Sequence, residues 1–159
     1  MDAGKWQIAQ LNIATMLGKD INDPLMIEFV AQLDTINALA EQSNGFVWRL
    51  KSGAGNATDC NPYKDERIIV NFSVWQNVDD LKNFVYKSAH TAVMKDRKKW
   101  FENFGKAYYV VWNIPAGYIP SLDEAVERLA YLQKNGPTDY AFDFKNIFEP
   151  LPFLLQYSA

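Results

Sequence analysis

The sequence predicts an α+β domain: a ferredoxin-like βαββαβ antiparallel sheet with a C-terminal helical extension. Three observations carry that expectation. Four segments have the alternation or the β-branched and aromatic content of strands. Two segments with helical periodicity fall after the first and third of them, the order of a split βαβ unit. A separately capped third helix follows the last strand. All 159 residues are expected in a single domain, with its core at about 5–115 and the extension at about 116–159.

Residues 6–13 alternate, with Ala9, Leu11 and Ile13 on one side and Gln10 and Asn12 on the other. Asp23-Pro24 supplies a capping carboxylate and a proline preset for the first helical turn. Met26, Phe29, Val30, Leu33, Ile36, Asn37 and Ala40 then recur at helical spacing, until Asn44-Gly45 stops the helix. Residues 46–50 read as the second strand. Residues 51–66 form one long punctuated loop, either a surface connection or a lid over a site. Residues 67–75 are the clearest strand: Ile68, Val70, Phe72 and Val74 line one face, and Ile69, Asn71, Ser73 and Trp75 the other. Asp79-Asp80 opens the second helix with negative charge at its positive dipole end. Residues 106–114 make the fourth strand. Ser121 and Glu124 form a capping box for the third helix, whose stripe is Leu122, Ala125, Val126 and Leu129 and whose end is Asn135-Gly136-Pro137. Residues 140–148 are expected to be extended and to pack back on the domain, with Phe153, Leu154 and Leu155 as a further docking contact.

Composition narrows the chemistry. Hydrophobic residues make up 48% of the chain, enough to offset chain entropy by burial, so a disordered chain is excluded. Sixteen Lys and Arg against nineteen Asp and Glu leave a net charge of −3, without the basic surplus of a nucleic-acid binder. One His and one Cys exclude a multi-histidine or four-cysteine zinc site, an internal disulfide and a CxxC redox pair, so no metal site is expected. Gly53-Ala54-Gly55 lacks the ending of a phosphate loop. No segment approaches the roughly 20 apolar residues of a membrane span. Residues 1–10 show no signal-peptide pattern, and the unpartnered Cys60 fits a reducing compartment, so the expected location is cytoplasmic. Five Trp, eight Tyr and ten Phe point to an aromatic-lined pocket or a generous core.

The two sheet faces differ. The face with Ile68, Val70, Phe72 and Val74 is the expected helix-covered core. The other carries Gln10, Asn12, Asn71, Ser73 and Trp75, joined by Trp48 or Arg49 according to strand register. A mixed polar and aromatic face reads as a homodimer seam, with or without a small-molecule cavity beside it. Over residues 79–104 the apolar positions change sides. Leu81, Phe84, Val85 and Ala92 lie opposite Tyr86, His90, Met94, Arg97 and Phe101, so the helix either breaks near Lys87-Ser88 or is buried on both sides. The second stripe brings a base, a phenol and a cation together. His90 reads as a general base, an axial ligand or a structural histidine. Arg97 reads as the holder of a carboxylate or enolate oxygen, or as the partner of Asp96 or Glu102.

The segments WQIAQLNIA, FVAQLDTINALAEQSNGFVWRL, IVNFSVW, FVYKSAHTAVMKDRKKWF, WNIPAGYIPS and NGPTDYAFDF together resemble domain-of-unknown-function family 3291, over about residues 6–148. That family is similar to the dimeric α+β barrel superfamily of antibiotic-biosynthesis and haem-degrading monooxygenases. The resemblance implies a homodimer with associated sheets. Haem-degrading members use an Asn on the first strand, a Trp on the second helix and a His further along it. Asn12 and His90 fall at such places, but Phe84 stands at the Trp position and lies closer to the His. Cofactor-independent oxygenases of the superfamily hold a phenolic substrate with Asn, Trp and Arg, roles open to Asn12, Trp75 and Arg97.

The expected function is therefore a small-molecule enzyme: a cofactor-independent monooxygenase, cyclase or isomerase acting on an aromatic or polyketide-like substrate in secondary metabolism. His90 is the expected proton acceptor, and Arg97 and Asn12 the oxygen-stabilising groups. Trp48, Arg49, Asn71, Trp75, Tyr86, Met94 and Phe101 are the expected substrate-binding residues. The alternatives are a haem- or hydrophobic-ligand-binding protein using His90, and a non-catalytic dimeric stress or interaction protein.

Overall fold

The computed structural model describes residues 5–51, 62–87, 95–103 and 105–150. Strand β1 (Trp6–Thr15) pairs antiparallel with both β3 (Ile68–Trp75) and β4 (Tyr109–Pro115), and β2 (Phe46–Arg49) pairs with the outer side of β3. The sheet order is β2-β3-β1-β4. Helix α1 (Ile27–Gln42) follows β1, and α2 (Val78–Lys87) follows β3. This is the ferredoxin-like α+β architecture that the sequence predicts.

Local chemistry sets the boundaries. Pro24–Met26 is a 3₁₀ turn ahead of α1, so the helix proper begins three residues later than the proline suggests. Asp23 accepts hydrogen bonds from the backbone N–H of Leu25 and Lys19, which hold its carboxyl below the usual carboxylate range. Gly45 ends the α1 turn at φ +81°, where Asp80 leaves no room for a Cβ.

Of the predicted second helix, the described residues include α2 and a single turn, α3 (Arg97–Trp100). Phe101 is already extended and bridges Met16, so it lies beyond the helix to which the stripe assigned it. His90 and Met94, most of the 51–66 loop, and the tail at 151–159 lie outside the described residues.

The layering reverses the sequence expectation. Helices α1 and α2 lie over the mixed face, where Ala40 and Leu81 pack with Ile8, Trp75 and Val111. The apolar face of Leu11, Val70, Phe72 and Trp112 is covered instead by the extension, through Ala125, Leu129 and Leu132 of α4 (Leu122–Asn135). The sequence expectation sets the two helices of the split βαβ unit on the more apolar face and gives the third helix no face of the sheet. The third helix adds a layer, and the polar side chains of the mixed face satisfy one another beneath α1 and α2 (described below). Each face thus carries helices of the same chain, and on the mixed face Asn71 stays exposed.

Helix α4 is fixed at both ends. Ser121 Oγ accepts from the Glu124 N–H at 3.1 Å, and Gly136 leaves the helix at φ +76°. Glu124 accepts from Trp112 Nε1 and Tyr118 Oη, and Arg128 stacks 3.8 Å over the Tyr140 ring. Beyond it the chain returns as predicted. Phe142 and Val111 exchange both backbone hydrogen bonds, at 2.8 and 2.9 Å, which pairs residue 142 to the free edge of β4.

Leu129 is fully buried at the centre of the α4 contact. Leu129→Ala is expected to lower unfolding free energy by ~2–5 kcal/mol. Urea denaturation followed by circular dichroism measures it, and a loss below about 1 kcal/mol would mean that α4 is not a structural layer.

Candidate functional site

A cavity of about 210 Å³ lies between the mixed sheet face and helices α1 and α2. Its floor follows from strand register. Ile8 faces Trp75, Gln10 faces Ser73 and Asn12 faces Asn71, so four side chains with hydrogen-bonding groups form two adjacent rows on β1 and β3. They form one ladder. Gln10 Nε2 donates to Asn71 Oδ1 at 2.7 Å and to Ser73 Oγ at 2.8 Å, while Gln10 Oε1 accepts from Asn12 Nδ2 at 3.2 Å. Trp75 Nε1 also donates to Ser73 Oγ, at 2.9 Å. With both lone pairs engaged, the Ser73 hydroxyl has only its proton left to offer.

One inserted residue decides what β2 contributes. Phe46 faces Trp75, yet Trp48 faces Val74, so the register slips across Val47. The slip turns Trp48 to the opposite face, where its ring meets Phe72 edge-on at 5.1 Å, and brings Arg49 opposite Ser73. Of the two residues left open by the sequence, Arg49 lines the cavity and Trp48 does not. The expected role of Trp48 as a pocket wall therefore meets a correction, caused by the bulge.

The walls are aromatic. Phe84 stacks on Trp75 at 5.2 Å and Phe46 meets its edge at 5.5 Å. Towards the other end stand Tyr86, Tyr108 and Tyr109, with Phe144 against Tyr86 and Tyr109. Burial raises the phenol of Tyr109, whose oxygen accepts from the Phe144 N–H at 3.2 Å, and burial likewise raises that of Tyr86. Both phenols stay protonated at neutral pH and so are poor bases there.

The two cations of the lining differ in their pairing. Arg49 is held by Glu41, with Nε and Nη2 at 3.1 and 3.0 Å from Oε1. Arg97 lies against the rings of Tyr108 and Phe101, at 4.8 and 5.4 Å from their centroids, and makes no ion pair among the described residues. Its sequence neighbours are engaged elsewhere: Asp96 with Lys99 at 3.4 Å and Glu102 with Arg67 at 2.8 Å. The ion-pair reading of Arg97 is thereby removed. No aspartate, glutamate, histidine or cysteine occurs among the described lining residues. A haem would therefore depend on His90 alone for an axial nitrogen ligand.

Of the predicted site residues, the structure brings together Asn12, Arg49, Asn71, Trp75, Tyr86, Arg97 and Phe101. The sequence reading placed Gln10 and Ser73 on the right face but left them out of the site, although they share the two-residue period of Asn12 and Asn71. It missed Tyr108 and Tyr109 outright. Tyr109 faces Asn12 across β1–β4, a pairing that no local pattern gives.

No group of metal-ligating side chains occurs among the described residues, and none of their helices is long and apolar enough to cross a membrane. Among solved structures, the chain is similar to SnoaB, a cofactor-independent oxygenase from Streptomyces nogalater (14% identity, 73% of this chain and 96% of that one, TM-score 0.44). It is also similar to PA3566 from Pseudomonas aeruginosa (8%, 76% and 100%, TM-score 0.49) and to SO0527 from Shewanella oneidensis (11%, 69% and 90%, TM-score 0.47). No curated protein matches the sequence.

Because burial raises the Tyr109 phenol, its contribution to stability is complete below the unfolded-state value near pH 10 and is lost as pH climbs through the higher folded-state value. Tyr109→Phe is expected to flatten the alkaline limb of a stability-versus-pH curve and to cost ~0.5–1.5 kcal/mol at pH 7. An alkaline limb identical to that of the wild type would show that this phenol is not the buried group responsible. The sequence profile of the family described as Domain of unknown function (DUF3291) matches residues 7–153, and the chain belongs to that family.

Proposed function

We propose that the cavity is the active site of a small-molecule enzyme that removes a proton from a flat aromatic or polyketide-like substrate and stabilises the resulting oxyanion. Arg97 is the observation that carries this reading: a half-buried guanidinium facing the cavity with its nearby acids paired elsewhere. A fixed cation beside apolar walls favours a charge that develops on a substrate oxygen, because little solvent reorganisation is needed there. Asn12 Nδ2 spends one N–H on Gln10 and has a second to offer a substrate oxygen. Phe84 and Phe46, packed on the buried Trp75, give that end of the cavity aromatic walls suited to a ring system.

The described lining holds no carboxylate or imidazole, and the Tyr86 and Tyr109 phenols are raised, so the proton acceptor in this proposal is His90, the only histidine of the chain. The substrate C–H or O–H bond breaks, its proton passes to the His90 imidazole, and its electron pair enters an enolate or phenolate. Oxygenation by O₂, ring closure and isomerisation all proceed from that anion. Cofactor-independent monooxygenase, cyclase and isomerase are thus the reaction classes proposed.

Anthrone, whose C10–H bond yields an aromatic oxyanion on deprotonation, is a suitable probe. The wild type is expected to accelerate both deuterium exchange at C10 and oxidation to anthraquinone. His90→Ala should reduce exchange by ~10²–10⁴-fold. Exchange undiminished by His90→Ala removes the assigned base. Exchange no faster than in buffer for the wild type argues against a proton-abstracting site.

A further inference from the structure

We propose that the ligand is a two- or three-ring molecule bearing one permanent negative charge, bound lengthwise with its rings towards Trp75 and its anionic group on Arg97. The inference rests on the cavity being a small-molecule site and adds the ligand's charge and orientation. A neutral phenol or ketone that becomes anionic only during reaction would satisfy the proposed function without it.

Charge comes first. The described lining contains two cations and no acid. Glu41 neutralises Arg49, which leaves Arg97 as the uncompensated charge among the described residues. A partly desolvated guanidinium is poorly stabilised by ring faces alone. Its five N–H donors in a rigid fork match a carboxylate, and such charge-assisted pairs are stronger than bonds to a neutral carbonyl. A cationic ligand is disfavoured at the same place, because it would meet the guanidinium, and the nearest described acid, Glu102, is already paired with Arg67.

Orientation follows from register. Along β1 and β3 the rows run from Ile8–Trp75 through Gln10–Ser73 to Asn12–Asn71. Beyond that last row, towards the end of β1, Phe101 bridges Met16 and carries the Arg97 guanidinium over its ring. The aromatic end and the cationic end are therefore opposite ends of one trough, with the amide ladder between them. Four residues of strand separate the Trp75 row from the Asn71 row, roughly 13 Å at ~3.3 Å per residue. That length exceeds a single benzene ring and suits fused rings lying along the strands.

Arg97 also lines a second, more open cleft with Glu102, Asn103, Gly105, Lys106 and Tyr108, in which Arg67 neutralises Glu102. The anionic group would thus sit at the cavity mouth, where it keeps part of its hydration, while the rings enter the drier Trp75 end. The middle of the ligand meets mixed hydrogen-bonding character. Asn12 Oδ1 remains an acceptor, and Asn71 Nδ2 and the Ser73 hydroxyl remain donors, so a hydroxyl beside a carbonyl on the ring edge is matched by the ladder.

Calorimetric titration of the full chain with 2-naphthoate and its neutral isostere 2-naphthamide tests the proposal. The wild type should bind the naphthoate ~10-fold or more tightly than the amide. Arg97→Gln should abolish that preference, with the naphthoate affinity falling to that of the amide, and circular dichroism reports that the variant is folded. Arg97→Lys should retain part of the preference through charge without the fork. Equal binding of the two probes by the wild type, or a preference that survives Arg97→Gln, overturns the anion assignment and leaves the small-molecule cavity standing. Binding of neither probe overturns both the assignment and the cavity reading on which it rests.

Discussion

The site depends on the hydrogen bonds of Gln10, a buried polar side chain on the central strand beneath two helices. An amide in that position is tolerable only if its donors and acceptor are satisfied, and Asn12, Asn71 and Ser73 do this from adjacent positions. The ladder has two consequences. It fixes the β1–β3 register, since a slip of one residue would replace the amides with Leu11 and Phe72. It also prevents α1 and α2 from packing flush on the middle of the sheet, because apolar side chains pressed onto the amides would leave their remaining hydrogen-bonding groups unmatched. The cavity is the space that this polar floor keeps open.

The opposite face shows the contrast. Leu11, Val70, Phe72 and Trp112 carry no comparable ladder, and α4 closes on them with small and aliphatic side chains until all are buried. The sheet therefore has one face sealed by dispersion and area, and one held apart by amides. The rigid, sealed face supports the open one.

Much of this was legible in the chain itself. The alternation of residues 67–75 and the Asp-Pro and Ser-x-x-Glu caps depend on local preferences, and strands and helices appear where those signals stand. The polarity of the two faces was equally plain, since a period of two needs no tertiary knowledge. Which layer covers which face was not, because that depends on chain path and on a third helix that local periodicity cannot place. Trp48 and Arg49 make the point sharply. The sequence narrows the choice to these two, and a single bulged residue, Val47, settles it in a way that no propensity encodes. Similarly, the stripe from Tyr86 to Phe101 runs past the end of the helix: Phe101 is extended, and the turn at Arg97–Trp100 still delivers both Arg97 and Phe101 to the cavity.

Arg97 is the residue for which local and non-local information diverge most. Within the run KDRKK, flanked by acids, it resembles any solvated helix face, and its nearest acids offer an obvious surface pairing. The fold removes that option by competition. Lys99 takes Asp96 from one turn away, and Arg67, at the start of β3, takes Glu102 from across the chain. Exposed ion pairs of this kind add little to stability. Their effect here is instead to occupy the carboxylates nearest Arg97, so that its donors remain available to the cavity between Tyr108 and Phe101. A guanidinium kept free by such arrangements, at the open end of a trough whose far end is aromatic, imposes on any ligand a direction as well as a charge. That constraint is a property of the whole fold, since Arg67, Lys99, Tyr108 and Phe101 come from three separate stretches of chain.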